Sequence, residues 1–337
     1  MALSLCGRVA LAGDTLGDSI PVSAPVSTAP SAPADGAQAT ADDSVFALPT
    51  TKDHIGRVLV PVTINGRGPF RFIVDTGANH STIAPRTAQL LGLSPTQEMP
   101  FHVDGITGDM QAPFVKVNTL QTGDLTIDDA SLPVIWAPIM AGADGILGAA
   151  GLTEKSLMID FQRNRVEIAH HIPEFDREDA VKIHALRLTH GLITLDILVG
   201  GVRTCAIIDT GAERTLGNLA LRDALKTKPS DGRIAMVTSV FGATREVEPG
   251  ELRYAPTLVF DGLRISEAEI VYGNFHIFKV WAMDQKPALI IGMDVLGTVA
   301  SLGIDFKNQD IYVTSVRKSP NSMGMTPGEL HNMSIKR

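Results

Sequence analysis

Cysteine and aromatic residues are scarce in this chain of 337 residues, which has 2 cysteines and is 5% aromatic. Two cysteines, Cys6 and Cys205, provide neither a disulfide framework nor a cysteine-based metal site. The nine histidines show no His-Glu-x-x-His or other zinc spacing. We expect Cys205 to be a small core residue, with a reactive thiol as the alternative. The sequence therefore predicts no metal and no cofactor.

Long apolar runs and an excess of positive charge are also missing. No apolar stretch is long enough to cross a bilayer, so we expect no integral membrane span. The net charge of -8 argues against a nucleic-acid partner or an anionic membrane, because either would favour a basic face. With 44% hydrophobic and 20% charged residues, the composition is typical of globular domains, and the length is sufficient for two.

The first 44 residues differ in composition from the rest. Residues 1–11 are mostly apolar, and Ala10-Leu11-Ala12 resembles a signal-peptide cleavage site. Residues 14–43 are rich in Ala, Pro, Ser, Thr and Asp, a composition that cannot form a packed core. We interpret residues 1–44 as a leader and a disordered tether, and we expect a periplasmic or secreted protein. A cytoplasmic protein with a disordered N-terminus is the alternative.

Two copies of one short motif dominate the remaining sequence. In each copy an apolar, strand-like run leads into Asp-Thr-Gly-Ala, at Asp75–Ala78 and at Asp209–Ala212. A carboxylate at the end of a buried strand is costly unless it is hydrogen-bonded or shares a proton. The glycine permits a sharp turn. A single copy could be an ordinary surface turn, but two copies in the same context favour a functional pair.

The order of elements around the motif is repeated, and Asp75 and Asp209 lie 134 positions apart. Each half contains a strand, a tight turn, the motif strand, a short helix, a glycine-containing hairpin, an apolar-apolar-Gly run and a closing hairpin. The repeat predicts two β-rich lobes at 45–168 and 181–316. Residues 169–180 are predicted to be a linker and residues 317–337 a flexible tail.

Two related halves usually pack about a pseudo-twofold axis, where equivalent elements meet. If the two turns lie on this axis, two carboxylates face each other at about 3 Å and hold one proton between them. The ionised carboxylate can then take a proton from a water molecule while the protonated one donates to a substrate carbonyl oxygen. This arrangement predicts hydrolysis of a peptide bond without a metal or a covalent intermediate.

These motifs resemble those of the retropepsin-like aspartic proteases of the pepsin clan, in a fused two-domain bacterial form. The resemblance covers the paired apolar-apolar-Asp-Thr-Gly-Ala motifs and the apolar-apolar-Gly runs at Ile146–Gly148 and Ile290–Gly292. Alanine after each Asp-Thr-Gly, and the lack of a tyrosine in either hairpin, are more similar to retropepsins than to pepsins. The resemblance implies a mostly-β chain with two homologous β-barrel lobes in a pepsin-like bilobal arrangement.

The resemblance also implies roles for individual residues. Asp75 and Asp209 would be catalytic. Four residues would support them: Thr76, Gly77, Thr210 and Gly211. The two hairpins would be flaps, which would bind an extended polypeptide together with the turns. The implied substrate-binding residues are Ala78, Asn79, Ala212, Glu213, Gly105, Ile106, Phe241 and Gly242. Because one chain carries both halves, we expect a monomer.

Other interpretations remain open at this stage. A non-enzymatic module could use the same cleft to bind a peptide. A glycosidase with two carboxylates would need a wider carboxylate spacing and more aromatic residues than the chain has. The residues that follow the apolar-apolar-Gly runs, Ala149-Ala150-Gly151 and Met293-Asp294-Val295, depart from the viral pattern. Trp136 and Trp281 occur at matching places, and we expect both to pack in the core.

Overall fold

A computed structural model of the protein describes residues 3–6, 47–49, 51–53, 56–136, 138–176, 178–187, 192–225 and 236–316. The predicted flexible tail at 317–337 lies outside these ranges, as do residues 1–44, the predicted leader and tether, except for residues 3–6. The described part is mostly β-structure, which confirms the predicted fold class. None of its helices is long and apolar enough to span a membrane.

The N-terminal half, up to residue 169, contains twelve described strands and one α-helix. The strands are β1 Leu3–Cys6, β2 Ala47–Pro49, β3 Thr51–Lys52, β4 Val58–Ile64, β5 Arg67–Asp75, β6 Thr82–Ile83, β7 Thr96–Gly105, β8 Asp109–Thr122, β9 Leu125–Pro133, β10 Gly145–Gly148, β11 Ser156–Asp160 and β12 Arg165–Ala169. The helix α1 spans Pro85–Leu91, and 3-10 turns span Pro138–Met140 and Ala149–Leu152.

The C-terminal half contains the remaining described strands and helices. The strands are β13 Ala180–His184, β14 Leu186–Arg187, β15 Ile193–Val199, β16 Val202–Ile208, β17 Leu216–Asn218, β18 Met236–Phe241, β19 Val247–Tyr254, β20 Leu258–Phe260, β21 Leu263–Ile265, β22 Glu269–Gly273, β23 Ala288–Ile291, β24 Ser301–Asp305 and β25 Asp310–Thr314. The helices are α2 Leu219–Ala224, α3 His276–Val280 and α4 Met293–Leu296. A 3-10 turn at Pro173–Asp176 lies within the predicted linker.

Tight turns begin both halves, as the sequence predicts. The β4–β5 hairpin turns at Asn65 and Gly66, whose φ angles of 50° and 71° are left-handed. The β15–β16 hairpin turns at Gly200 and Gly201, with φ angles of 55° and 83°. Asparagine and glycine tolerate this backbone region better than other residues, which is why both pairs favour two-residue hairpins. Each hairpin delivers its second strand to an Asp-Thr-Gly motif.

The two halves repeat the same strand arrangement around the motif. β10 pairs in parallel with β5 and antiparallel with β6, while β23 pairs in parallel with β16 and antiparallel with β17. These inner strands are buried along their whole length, as expected for a strand covered on both faces. In each half the pairing order runs between two end strands, so barrel closure stays a prediction.

From the order of the sequence, each closing hairpin would be expected to complete its own half. In the structure the two closing hairpins pair with each other instead. They form one sheet in the order β13-β25-β24-β11-β12-β2. β11 pairs antiparallel with β24, from Ser156 opposite Asp305 to Asp160 opposite Ser301. The largest apolar cluster also contains residues of both halves, among them Ile159 and Ile304. The two halves therefore share a sheet and a core.

The predicted leader contains an element that the sequence does not indicate. Residues Leu3–Cys6 form β1, which pairs antiparallel with β7, from Leu3 opposite Gly105 to Cys6 opposite His102. The outer edge of β7 presents unpaired backbone groups, and another extended segment can satisfy them. Composition alone gave no sign of this pairing because a four-residue segment carries little periodicity.

Candidate active site

The two Asp-Thr-Gly turns meet between the halves. β5 ends at Asp75, and β16 ends at Ile208, directly before Asp209. Both carboxyl groups are buried. The apolar strands that precede them carry them into the interior, since burial of those strands stabilises the sheet while the carboxylates are costly to desolvate. The turn geometry must therefore supply compensating hydrogen bonds.

The two threonines join the turns with four reciprocal hydrogen bonds. The Thr76 hydroxyl donates to the Ile208 carbonyl over 2.7 Å, and the Thr210 hydroxyl donates to the Val74 carbonyl over 2.7 Å. The amide of Thr210 donates to the Thr76 hydroxyl over 3.1 Å, and the amide of Thr76 donates to the Thr210 hydroxyl over 3.2 Å. Each hydroxyl thus donates and accepts, as a buried hydroxyl should.

The two glycines allow each turn to contact the carboxylate of the other. A Cβ added to Gly77 would lie 2.6 Å from Oδ2 of Asp209, and a Cβ added to Gly211 would overlap the carboxylate of Asp75. Any side chain at either position would therefore displace the opposite aspartate. The amides of Gly77 and Gly211 also donate to Oδ1 of Asp75 and of Asp209, each over 2.9 Å.

The electrostatics of this pair favour a shared proton. Burial raises the pKa of Asp75 well above its usual range, and the negative charge of Asp209 raises it further. A hydrogen bond between the two side chains is a further cause of the raised pKa of Asp75.

The apolar-apolar-Gly runs support the turns from behind. The amide of Ala149 donates to the Ala78 carbonyl, and the amide of Met293 donates to the Ala212 carbonyl, each over 2.8 Å. A Cβ on Gly148 would clash with the His80 backbone, and a Cβ on the equivalent Gly292 would clash with the Arg214 backbone. The close approach explains why both runs end in glycine.

The two halves differ just beyond these runs. Asp294 accepts hydrogen bonds from the amide of Thr215 over 3.0 Å and from its hydroxyl over 2.7 Å. Burial raises the pKa of Asp294, although the Thr215 hydrogen bonds oppose the shift. Ala150 occupies the equivalent place in the first half and cannot accept in this way. The sequence of the second half departs from the pattern of viral retropepsins at Asp294, and this residue makes a polar contact that the first half lacks.

The remaining residues predicted to bind substrate lie in different surroundings. Ala78, Asn79 and Ala212 are buried beside the turns, whereas Glu213 is exposed. Glu213 lines a pocket of about 140 Å³ beneath the β18–β19 hairpin, and Phe241 lines it from above. Contact of these residues with substrate stays a prediction.

The glycine-containing hairpins meet at their tips. Thr107 and Thr244, in the two tip turns, have hydroxyl oxygens 3.1 Å apart. A Cβ on Gly105 would contact Thr244, and a Cβ on Gly242 would contact Thr107. We call the β7–β8 hairpin the first flap and the β18–β19 hairpin the second flap.

The two tryptophans are not equivalent, so the prediction for Trp136 is wrong. Trp281 is 7% exposed at the end of α3, as expected for a core residue, but Trp136 is 76% exposed beyond β9. Trp136 lies outside any helix or strand, whereas Trp281 directly follows α3. Sequence matching aligned the residue types without detecting this change of backbone.

Sequence reasoning also missed a polar cluster on the first flap. Asp104 is buried, and the Nε2 atoms of His102 and His276 each lie 3.2 Å from its Oδ1. The signal was weak because His276 is remote in sequence and has no counterpart in the first half. Within the described ranges, no three His, Cys, Asp or Glu side chains are grouped as metal ligands would be.

These observations define a class of protein: a mostly-β chain of two similar halves, with paired Asp-Thr-Gly turns joined between them. A family model described as aspartyl protease matches residues 60–150 and 195–295, more than half of the chain. Each matched region contains one Asp-Thr-Gly motif. The protein belongs to the aspartyl protease family, and the resemblance drawn from its motifs is confirmed. A comparison with curated protein sequences found no match.

Proposed function

We propose that the protein is an aspartic endopeptidase that hydrolyses peptide bonds with a water molecule activated by Asp75 and Asp209. The single observation that carries the proposal is the facing of two buried carboxylates across glycines that leave no room for a side chain. Such a pair costs stability as a purely structural feature, since burial and like charge both oppose ionisation. A catalytic role explains why the cost is met twice, once in each half.

The chemistry follows from the single proton of the pair. The ionised carboxylate takes a proton from the attacking water, whose oxygen forms a bond to the carbonyl carbon of the substrate. The protonated carboxyl group donates to the carbonyl oxygen, which gives a neutral tetrahedral intermediate. Collapse of the intermediate breaks the carbon–nitrogen bond: the carboxyl group that took the proton of the water passes it to the leaving amine, and the other carboxylate takes a hydroxyl proton from the intermediate. The pair is then ready for another cycle.

The proposed substrate is an extended polypeptide with apolar side chains near the cleaved bond. The pocket beneath the second flap has walls formed largely by Leu216, Val240, Leu252 and Val271. Its volume of about 140 Å³ suits one medium-sized apolar side chain. Glu213 and Arg214 lie at its polar side. Burial of an apolar substrate side chain there would contribute binding free energy next to the Asp209 turn.

The test is digestion of a peptide library from pH 4 to pH 7 by the parent protein and by Asp75→Asn and Asp209→Asn variants. We expect cleavage by the parent alone, with a bell-shaped pH profile that reports two macroscopic pKa values of the pair. Asp223→Asn, which changes an exposed aspartate on α2, is the matched control and should cleave normally. Turnover close to that of the parent in either Asp75→Asn or Asp209→Asn would reject the mechanism. Peptide binding by the parent without cleavage would indicate a binding module that is not an enzyme.

A further inference from the structure

The reciprocal contacts at the flap tips align the two flaps residue by residue. Gly105 approaches Thr244 as Gly242 approaches Thr107, so the two glycines are equivalent. The residue that precedes each glycine is therefore also equivalent: Asp104 in the first flap and Phe241 in the second. These two positions differ completely in chemistry, and the difference is the basis of the inference that follows.

Asp104 ties the first flap to the second half. Its Oδ1 lies 3.2 Å from Nε2 of His276, which begins α3. Because the carboxylate is buried, loss of this donor would leave it poorly compensated. Ile106, at the flap tip, is 0% exposed and packs in an apolar cluster with Phe275 and Ile277 from the same region of the second half.

Neighbouring polar groups fix the orientation of this contact. Nε2 of His102 is the second donor to Asp104, and Nδ1 of His102 lies 3.0 Å from the Gln111 amide nitrogen and 3.8 Å from Asp109. With Nδ1 accepting from Gln111, the ring proton lies on Nε2 and points at Asp104. Two imidazoles therefore converge on one carboxylate, one from the flap itself and one from the other half.

The second flap has no polar anchor at the equivalent position. Phe241 is a hydrocarbon side chain and is 46% exposed. β18 is an end strand of its sheet, and Met236 and Val237 on it are also exposed. Thr238, Ser239 and Val240 on this strand line a pocket together with Glu213 and Arg214, which follow the Asp209 turn in the chain.

We infer that Asp104 and His276 are positioning residues that hold the first flap closed, so that the second flap is the one that opens to admit substrate. The inference rests on the proposed function, since it states how a peptide substrate reaches Asp75 and Asp209. A hydrogen bond to a buried charged group contributes more than a neutral contact at a protein surface. The first flap therefore stays in place over the cleft, and the second flap is the one whose movement opens the cleft to substrate.

Thiol labelling tests which flap opens, in a parent protein that carries Cys6→Ser and Cys205→Ser. Ile106→Cys and Ala243→Cys place one thiol on each flap tip at equivalent, buried positions. Each thiol reacts with a soluble reagent only when its own flap lifts away from the opposite half. We expect Ala243→Cys to react at least tenfold faster than Ile106→Cys. Equal rates, or the reverse order, would overturn the inference.

Variants of His276 test the contact between Asp104 and His276, which we call the latch. In the Ile106→Cys protein, His276→Leu should accelerate labelling about tenfold to a hundredfold, because a buried carboxylate loses a donor. His276→Gln places an amide donor near the position of Nε2 and should restore slow labelling. His184→Leu removes a histidine that contacts Asp310, far along the chain from the flaps, and is the matched control that should change nothing.

A third thiol separates flap opening from unfolding. Ile304→Cys lies buried in the sheet shared by both halves and reacts only when the protein unfolds. If His276→Leu accelerates Ile304→Cys as much as Ile106→Cys, or accelerates neither, the latch is rejected. Labelling does not require turnover. The expected labelling pattern in a protein that cleaves no peptide would reject the proposed function while the latch remains.

Discussion

At the scale of single residues, the buried pair of aspartates makes stability depend on pH. Burial and the charge of Asp209 raise the pKa of Asp75 above the value of about 3.9 that an unfolded aspartate has. The folded protein therefore holds a proton at pH values where the unfolded chain has lost it. By linkage, the contribution of this group to the free energy of unfolding decreases as pH rises through this interval.

Replacement of the buried acid should relieve this cost. We predict that Asp75→Asn raises the melting temperature relative to the parent more at pH 7 than at pH 4, because the carboxyl group of the parent is protonated to a greater extent at the lower pH. Calorimetry at both pH values measures the difference. Asp223→Asn, at an exposed site, should show no such pH dependence. A variant that is less stable than the parent at pH 7 would contradict the assignment of a raised pKa.

The threonine hydroxyls give a second prediction at this scale. Thr76→Val keeps the shape of the side chain but leaves the Ile208 carbonyl and the Thr210 amide without their partner. Buried groups of this kind cost about 1–3 kcal/mol each, so we expect a loss of about 2–5 kcal/mol in the free energy of unfolding. Urea titration measures the loss, and Thr76→Ser, which keeps the hydroxyl, should recover most of it.

The double variant sharpens that experiment. Thr76 and Thr210 form a closed set of reciprocal hydrogen bonds, so the effects of Thr76→Val and Thr210→Val should not be additive. Additive losses would mean that the two side chains act independently and that the turns are not coupled.

At the scale of elements, the two flaps share one hairpin design but have different exposure. Phe241 of the second flap lines the pocket that Glu213 also lines, whereas Val237 on the same strand is exposed and does not line that pocket. The two residues are four positions apart and therefore on the same face of β18, so they differ in their distance from the pocket and not in the face they occupy. The hairpin therefore offers a test and a control on one element.

We predict that Phe241→Asp lowers kcat/KM for peptide cleavage about fivefold to thirtyfold, mainly through KM. This corresponds to about 1–2 kcal/mol of lost apolar contact with a substrate side chain. Steady-state kinetics with one peptide measures the change. Val237→Asp adds the same charge to the same strand and should have little effect. Equal losses in both variants would indicate a general charge effect rather than contact through Phe241.

At the scale of the whole molecule, the protein contains within one chain the two halves that its site requires. The halves are joined by the β11–β24 pairing, by a common apolar core and by the threonine hydrogen bonds. These contacts are intramolecular, so their formation does not depend on protein concentration. A site built from two separate chains would behave differently.

We therefore predict a monomer whose specific activity stays constant on dilution from micromolar to nanomolar concentration. Progress curves at each concentration measure the activity, and sedimentation measures the mass. An obligate dimer would lose activity as mass action dissociates it. A steep decrease at nanomolar enzyme would show that a second chain completes the site.

The sequence by itself determined the repeated design and the residues at its centre. β-branched runs specify strands, and Asn65-Gly66 and Gly200-Gly201 specify tight turns, because these preferences are local to a few residues. The paired Asp-Thr-Gly motifs were recognisable for the same reason. A carboxylate after a buried strand is costly wherever the chain folds, so its repetition indicated a function before any contact was known.

Tertiary structure alone decided how the halves join and how they differ. The shared sheet, the contact of Asp104 with His276 and the exposure of Trp136 depend on residues far apart in sequence. Periodicity within a segment states which face is apolar, but not which distant segment covers it. The pairing of closing strands and the anchoring of a flap are set by the packing of the whole chain, because only there do remote groups come within hydrogen-bond distance.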